Sequence, residues 1–443
     1  MRHYRNVSLQ HNLVCPSTDG LVVGSANTTI HMNGHSITCP DEAFGCFQSD
    51  DSGIYSDQNN TVVVGPGTIS GFYSQISLDG SNASTVTGVT TNGGREGWGR
   101  RGVNVSGTSD LVKNVADTAD NVSFYAGGPG TSNSFVNDKS TGAGTGFYIA
   151  DDSMDMLSGD TATHSVFEGF YIYFADHTTV KNSKADHVVT PPYFGAGFVD
   201  ICSTYGTYSG NTSNANLYDG FDFFHSDCGA PAPPHASFPF DHTNGMQVVF
   251  TGNLAKGNGG DGAYFDKADA AEGSSGAGST ISGNAFLGNG GDGMDMYRTY
   301  VSHVFHNTAN GNGVDGYDFN RPAADMINGN IGNGNGEDGI TIYWDDTCEV
   351  VGPFFGCDPQ WVSYNTFTHN FDFGAYADDL VSSTGNVANH NGTSPNDCVN
   401  VNCQAHAALS ATPALAASKG AATDRGEKTL PSLPKLPAAP AKH

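Results

Sequence analysis

The chain repeats itself with a period of 23 residues. Between Gly283 and Ile342 an Asn is followed nine residues later by Gly and then by an apolar-x-apolar run, at Asn284 to Gly293, Asn307 to Gly316 and Asn330 to Gly339. The same nine-residue offset recurs at Asn137 to Gly146, Asn211 to Gly220, Asn253 to Gly262 and Asn365 to Gly374. A fixed period of this size marks a repeat architecture, in which one unit cannot bury its apolar face alone and successive units must stack.

Inside each unit the apolar residues stand two apart, as in Met294-Asp295-Met296, Tyr317-Asp318-Phe319 and Ile340-Thr341-Ile342. That is strand periodicity. The Gly and Asn clusters between the runs supply left-handed turn conformations. The expected fold is therefore all-β, a single-stranded parallel β-helix with each repeat forming one coil and the recurring Asn forming a side-chain amide ladder along the stack. A β-sandwich is the rival, but sandwich strands keep no fixed repeat. A solenoid grows by adding coils, so the 443 residues need not mean several domains. Residues 1–404 read as one β-helix with an N-terminal capping region. Residues 405–443 change to an Ala/Pro/Lys-rich composition and read as a disordered tail.

A net charge of −27 excludes nucleic acid as a partner, because such interfaces need a basic face. It suits divalent cations, and Ca²⁺, which takes oxygen ligands, is the cofactor to consider; keeping the protein soluble is the competing use of the same charge. The nine Cys suggest local bridges at Cys202/Cys228, Cys348/Cys357 and Cys398/Cys403, with Cys15, Cys39 and Cys46 sharing one more. Such pairs imply an oxidising compartment. No apolar run is long enough to span a membrane, and MRHYRNVSLQ has no signal-peptide core, so the expectation is a secreted monomer whose leader is absent from this sequence.

Two N-terminal segments, LVVGSANTTIHMNGHSITC and Asn59 to Phe72 (NNTVVVGPGTISGF), precede the Asn/Gly repeats. Together they resemble the right-handed parallel β-helix proteins of the pectate-lyase-like superfamily, including the NosD-like repeat proteins, over roughly residues 10 to 400. The resemblance implies a right-handed coil. It leaves activity open, because the superfamily holds lyases, hydrolases, epimerases and proteins that only bind. Asp219-Gly220-Phe221-Asp222 is similar to the Asp-Gly element of polygalacturonase-type hydrolases, but their Gly-His-Gly and Arg-Ile-Lys segments are not in this chain.

Aligning the repeats on their Gly turns the sequence into columns. If the first and third residues after Gly point inward, the second and fourth point out. The outward set then includes Asp222, Tyr264, Asp295 and Asp318, and Tyr297 and Tyr343. One place further stand His225, Lys267, Arg298, Arg321 and Trp344, and before the Gly stand Asp219, Asp261, Asp292, Asp315 and Asp338. Carboxylates, aromatic faces and cations in parallel rows are what a polysaccharide groove needs, and glycosidic cleavage takes two carboxylates. The candidate catalytic residues are Asp295, Asp318, Asp292, Asp315, Asp222 and Arg298. The candidate substrate-binding residues are His225, Tyr264, Lys267, Tyr297, Arg321, Tyr343 and Trp344. Hydrolysis is favoured over elimination because carboxylates outnumber bases, and the glycan could carry uronic acids. Asp before Gly is also ordinary turn chemistry. The alternative is a non-catalytic NosD-like surface or periplasmic protein that binds a glycan or a metal.

Overall fold

Each coil consists of three short strands that enter three separate sheets. In one coil these are Thr280–Ser282, Ala285–Leu287 and Met294–Tyr297. Each pairs in parallel with the equivalent strand one coil on, through Thr280↔His303, Ala285↔Thr308 and Met294↔Tyr317. The computed structural model describes residues 6–16, 19–40, 46, 51–93, 100–118, 120–128, 131–189, 195–224, 247–266, 278–297, 299, 301–322, 325–343, 350–351, 354–355, 360–392 and 397–404. Among them there is no helix. The fold is a right-handed parallel β-helix. The described residues form two compact units, one over 6–189 and one over 195–404, each built from this coil.

Side chains alternate as the periodicity predicts. Met294 and Met296 are fully buried, whereas Asp295 and Tyr297 are half-buried on the outer face. Inside the first unit, Phe124, Phe147 and Phe170 stack in register with centroids 4.6 and 4.7 Å apart. Inside the second, Phe223 and Phe265 stack at 4.7 Å, and Met296, Phe319 and Ile342 continue the column. Burying such a column supplies the main favourable term for a narrow lumen.

The predicted amide ladder is present in the second unit. Asn284, Asn307, Asn330 and Asn365 are buried, and each Nδ2 donates to the next Oδ1, at 2.9, 3.0 and 3.1 Å for the first three steps. Each Oδ1 also accepts the preceding Asn backbone N–H, as in Asn284 N to Asn307 Oδ1 at 3.0 Å. A second ladder, which the nine-residue rule does not select, runs through Asn258, Asn289, Asn312 and Asn335. Asn137 departs from the rule. It sits at the left-handed turn position with φ 54°, and Asp138 occupies the ladder position in its place. The first unit therefore builds this turn from carboxyls, with Asp138 N–H donating to Asp160 Oδ1, and the turn before the first strand does the same, with Asn133 N–H donating to Asp155 Oδ1.

The Gly of the repeat is required by a close approach. A Cβ on Gly293 would stand 2.5 Å from the carbonyl oxygen of Gly316 and 2.7 Å from Ala309 Cβ. Cys39–Cys46 and Cys398–Cys403 are disulfides, and Cys15 is the free member of its trio. Cys202 is disulfide-bonded, while its expected partner Cys228, the Cys348/Cys357 pair and the tail fall outside the described residues.

Candidate active face of the second unit

The third sheet of the second unit carries the columns read from the sequence. Asp222, Tyr264, Asp295, Asp318 and Thr341 are register partners on successive strands. So are Phe224, Asp266, Tyr297, Asn320 and Tyr343. Asp222, Asp295 and Asp318 thus share one face with Tyr264, Tyr297 and Tyr343. Tyr343 is exposed and Tyr264 is buried. His225, Lys267, Arg298 and Trp344 fall outside the described residues.

Arg321, the described member of the cation row, turns back over the face. Its backbone is left-handed, with φ 59°, and its Nη1 lies 3.5 Å from the Tyr297 hydroxyl. The guanidinium carbon is 5.9 Å from the Tyr297 ring centroid, inside cation–π range.

Asp292 and Asp315 have work of their own. Asp292 Oδ1 accepts the backbone N–H of Asp315 at 2.7 Å, and Asp315 Oδ1 accepts that of Asp338 at 2.7 Å. Asp219, Asp261 and Asp338 extend the same carboxylate ladder. The row before Gly is therefore part of the turn that closes the coil.

The carboxyls hold one another's protons. Burial pushes the Asp318 carboxyl well up, and the charges of Asp295 and Asp315 push it further. Its Oδ1 is enclosed with no hydrogen-bond partner among the described residues. Asp292 is raised well above the carboxylate range by burial, then by Asp261 and Asp315. Asp315 is raised to about 8 by burial, with the Asp338 charge next, and Asp338 to about 6 by burial. Crowded carboxyls outside water cannot all ionise, so acid and base forms coexist at neutral pH.

Asp261, Asp292 and Asp295 bring one carboxylate oxygen each to within 4.8 Å of one another. That spacing fits the oxygen-ligand distances of Ca²⁺, about 2.3–2.6 Å from a shared centre. Asp261 belongs to the row before Gly, but its role beside Asp295 was not legible there, because it depends on how two neighbouring columns lean together.

Residues 27–199 match the NosD family, described as periplasmic copper-binding protein. The match covers less than half of the chain, and what the whole chain shares with that family is the parallel β-helix fold. The matched residues belong to the first unit except for the last few, so the candidate face of the second unit lies beyond the match. Among solved structures, the chain is similar to the periplasmic alginate epimerase AlgG at 11% identity and TM-score 0.45, over 86% of this chain and 77% of that one. The A-module of Azotobacter vinelandii mannuronan C-5 epimerase AlgE4 gives 14% identity and TM-score 0.42 over 86% and 91%. The catalytic unit of a GH87 α-1,3-glucanase from Streptomyces thermodiastaticus gives 12% and 0.47 over 88% and 66%. A search of curated proteins returns no match. No helix among the described residues is long and apolar enough to cross a membrane.

Proposed function

We propose that the outer face of the third sheet in the second unit cleaves a glycan by hydrolysis, with Asp318 as general acid and Asp295 as the ionised partner. The observation that carries this reading is the register pairing of Asp295 with Asp318, together with the raised Asp318 carboxyl whose first neighbouring charge is Asp295. Glycosidic hydrolysis needs one carboxyl that keeps its proton at working pH and one that does not. Paired strands lie about 4.8 Å apart, nearer the ~5–5.5 Å carboxyl separation of retaining enzymes than the ~6.5–9.5 Å of inverting ones. Tyr297 and Tyr343 offer ring surface to the sugar, and Arg321 steadies Tyr297. Asp222 and Tyr264 extend the face by two strands. The disulfides fit an exported protein.

Incubation with a panel of neutral and uronic-acid polysaccharides tests this. Hydrolysis releases reducing ends without the ultraviolet absorbance of an unsaturated uronate, and elimination produces both together. The absence of new reducing ends on every glycan would sink the reading.

A second reading is a non-catalytic protein that holds a divalent cation on Asp261, Asp292 and Asp295. The convergence of those three carboxylates favours it. Calorimetric binding of Ca²⁺ or Cu²⁺, with no glycan cleaved, would decide for it.

A further inference from the structure

In the first unit a Phe-Tyr pair recurs at 124–125, 147–148 and 170–171, with the same 23-residue period. The inward half is explained by the Phe stack in the lumen. The outward half is not. Tyr125, Tyr148 and Tyr171 are register partners on the outer face of the third sheet. Their centroids lie 5.4 and 4.9 Å apart with rings edge to face. The preceding residues of that column are Tyr55, Ser77 and Asn104, so a solvated sheet face does not need three tyrosines in succession.

Two buried polar groups stand beside this ladder. Tyr171 is 8% exposed, and its hydroxyl has no hydrogen-bond partner among the described residues. A buried hydroxyl in that condition calls for an explanation, an unseen partner among them. Glu168 is also 8% exposed, burial pushes its carboxyl up to about 8, and it takes a hydrogen bond from Thr145 Oγ1 at 2.8 Å. Carrying its proton, it can donate as well as accept. At the other end of the ladder the Arg101 guanidinium lies 3.6 Å over the Tyr125 ring and donates to Asn104 Oδ1 at 2.6 Å.

We propose that this tyrosine ladder is a second carbohydrate-binding surface, one that holds a neutral oligosaccharide along the stack of coils and does not cleave it. Tyrosine offers an apolar ring for the C–H face of a sugar and a hydroxyl for its polar rim. The Tyr171 hydroxyl and the Glu168 carboxyl bring hydrogen-bond donors and acceptors to one end of the ladder. The ligand is neutral because the Arg101 guanidinium is already engaged by Asn104 and Tyr125, and a chain of net charge −27 repels polyanions. The surface lies on residues separate from the Asp295/Asp318 pair and does not depend on hydrolysis there.

The test is calorimetric titration of the full chain with cellohexaose, laminarihexaose, maltohexaose and hexagalacturonate. The wild type, the double variant Asp295→Asn/Asp318→Asn, and Tyr148→Ala, Tyr171→Phe and Arg101→Ala are compared. At least one neutral hexasaccharide binds, the double variant binds it equally, Tyr148→Ala weakens it at least tenfold, and Tyr171→Phe and Arg101→Ala weaken it several-fold at unchanged melting temperature. Three results overturn the proposal: no neutral hexasaccharide binds; all the first-unit variants bind like the wild type; or hexagalacturonate binds the ladder more tightly. If Tyr148→Ala does not fold, Tyr171→Phe and Arg101→Ala carry the test alone.

Discussion

Asp292 Oδ1 accepts the backbone N–H of Asp315, one coil on, at 2.7 Å. One side chain thereby joins two coils, and the same carboxylate stands beside those of Asp261 and Asp295. Asp315 is the next rung of the same ladder, and its substitutions test the turn-closing role. Asn in place of Asp315 keeps an acceptor for the Asp338 amide and is neutral, as the buried carboxyl largely is at pH 7. Asp315→Asn should match or exceed wild-type stability at pH 7, by up to about 1 kcal/mol, whereas Asp315→Ala should lose about 1–3 kcal/mol. Urea unfolding measures both. Equal loss in the two variants would contradict the ladder role.

The amide ladder makes a sharper claim. Asn307 Nδ2 donates to Ile281 O and to Asn330 Oδ1, and its own Oδ1 accepts from Asn284. Asn307→Ala leaves several buried groups unpaired and should cost about 2–4 kcal/mol. A loss below about 0.5 kcal/mol in urea unfolding would show that water replaces the ladder.

The first unit should be less stable in alkali. Burial raises Asp138 to about 8, Asp160 to about 7 and Glu168 to about 8, all above their values in an unfolded chain. A raised carboxyl contributes stability that is fully present below the unfolded pKa and is lost as pH climbs through the folded pKa. The melting temperature should therefore fall between pH 5 and pH 8.5. Asp138→Asn/Asp160→Asn, which imitates the Asn ladders of the second unit, should flatten that slope. A slope unchanged by the double variant would count against the assignment.

Much of the fold could be read in advance because it is written as period. Asn at one offset, Gly at another and apolar residues two apart each answer a constraint that recurs in every coil, so position in the sequence gives position in space. The register of Asp295 with Asp318, and of Tyr297 with Asn320, was legible for the same reason. Asn137 misled because a left-handed turn and a buried ladder both favour Asn, and the two positions are adjacent. What lay beyond reach was the contact of neighbouring columns. That Asp261 meets Asp295, and that Arg321 folds back to Tyr297, depends on rotamers and backbone turns that no spacing encodes.

The convergence of Asp261, Asp292 and Asp295 predicts a cation response. Millimolar Ca²⁺ should raise the melting temperature of protein first stripped with chelator, by several degrees if the site is filled. Asp261→Asn/Asp295→Asn should abolish the rise. A rise that survives the double variant would place the cation elsewhere.

Turnover of a glycan by Asp318→Asn and Asp295→Asn, on whichever substrate the wild type degrades, bears most directly on the proposed active face. Removing the general acid or its ionised partner should lower kcat by about 10³-fold or more with the fold intact, a loss of the size expected for groups that act in the transition state. If both variants cleave within about threefold of the wild type, hydrolysis does not take place on these two aspartates.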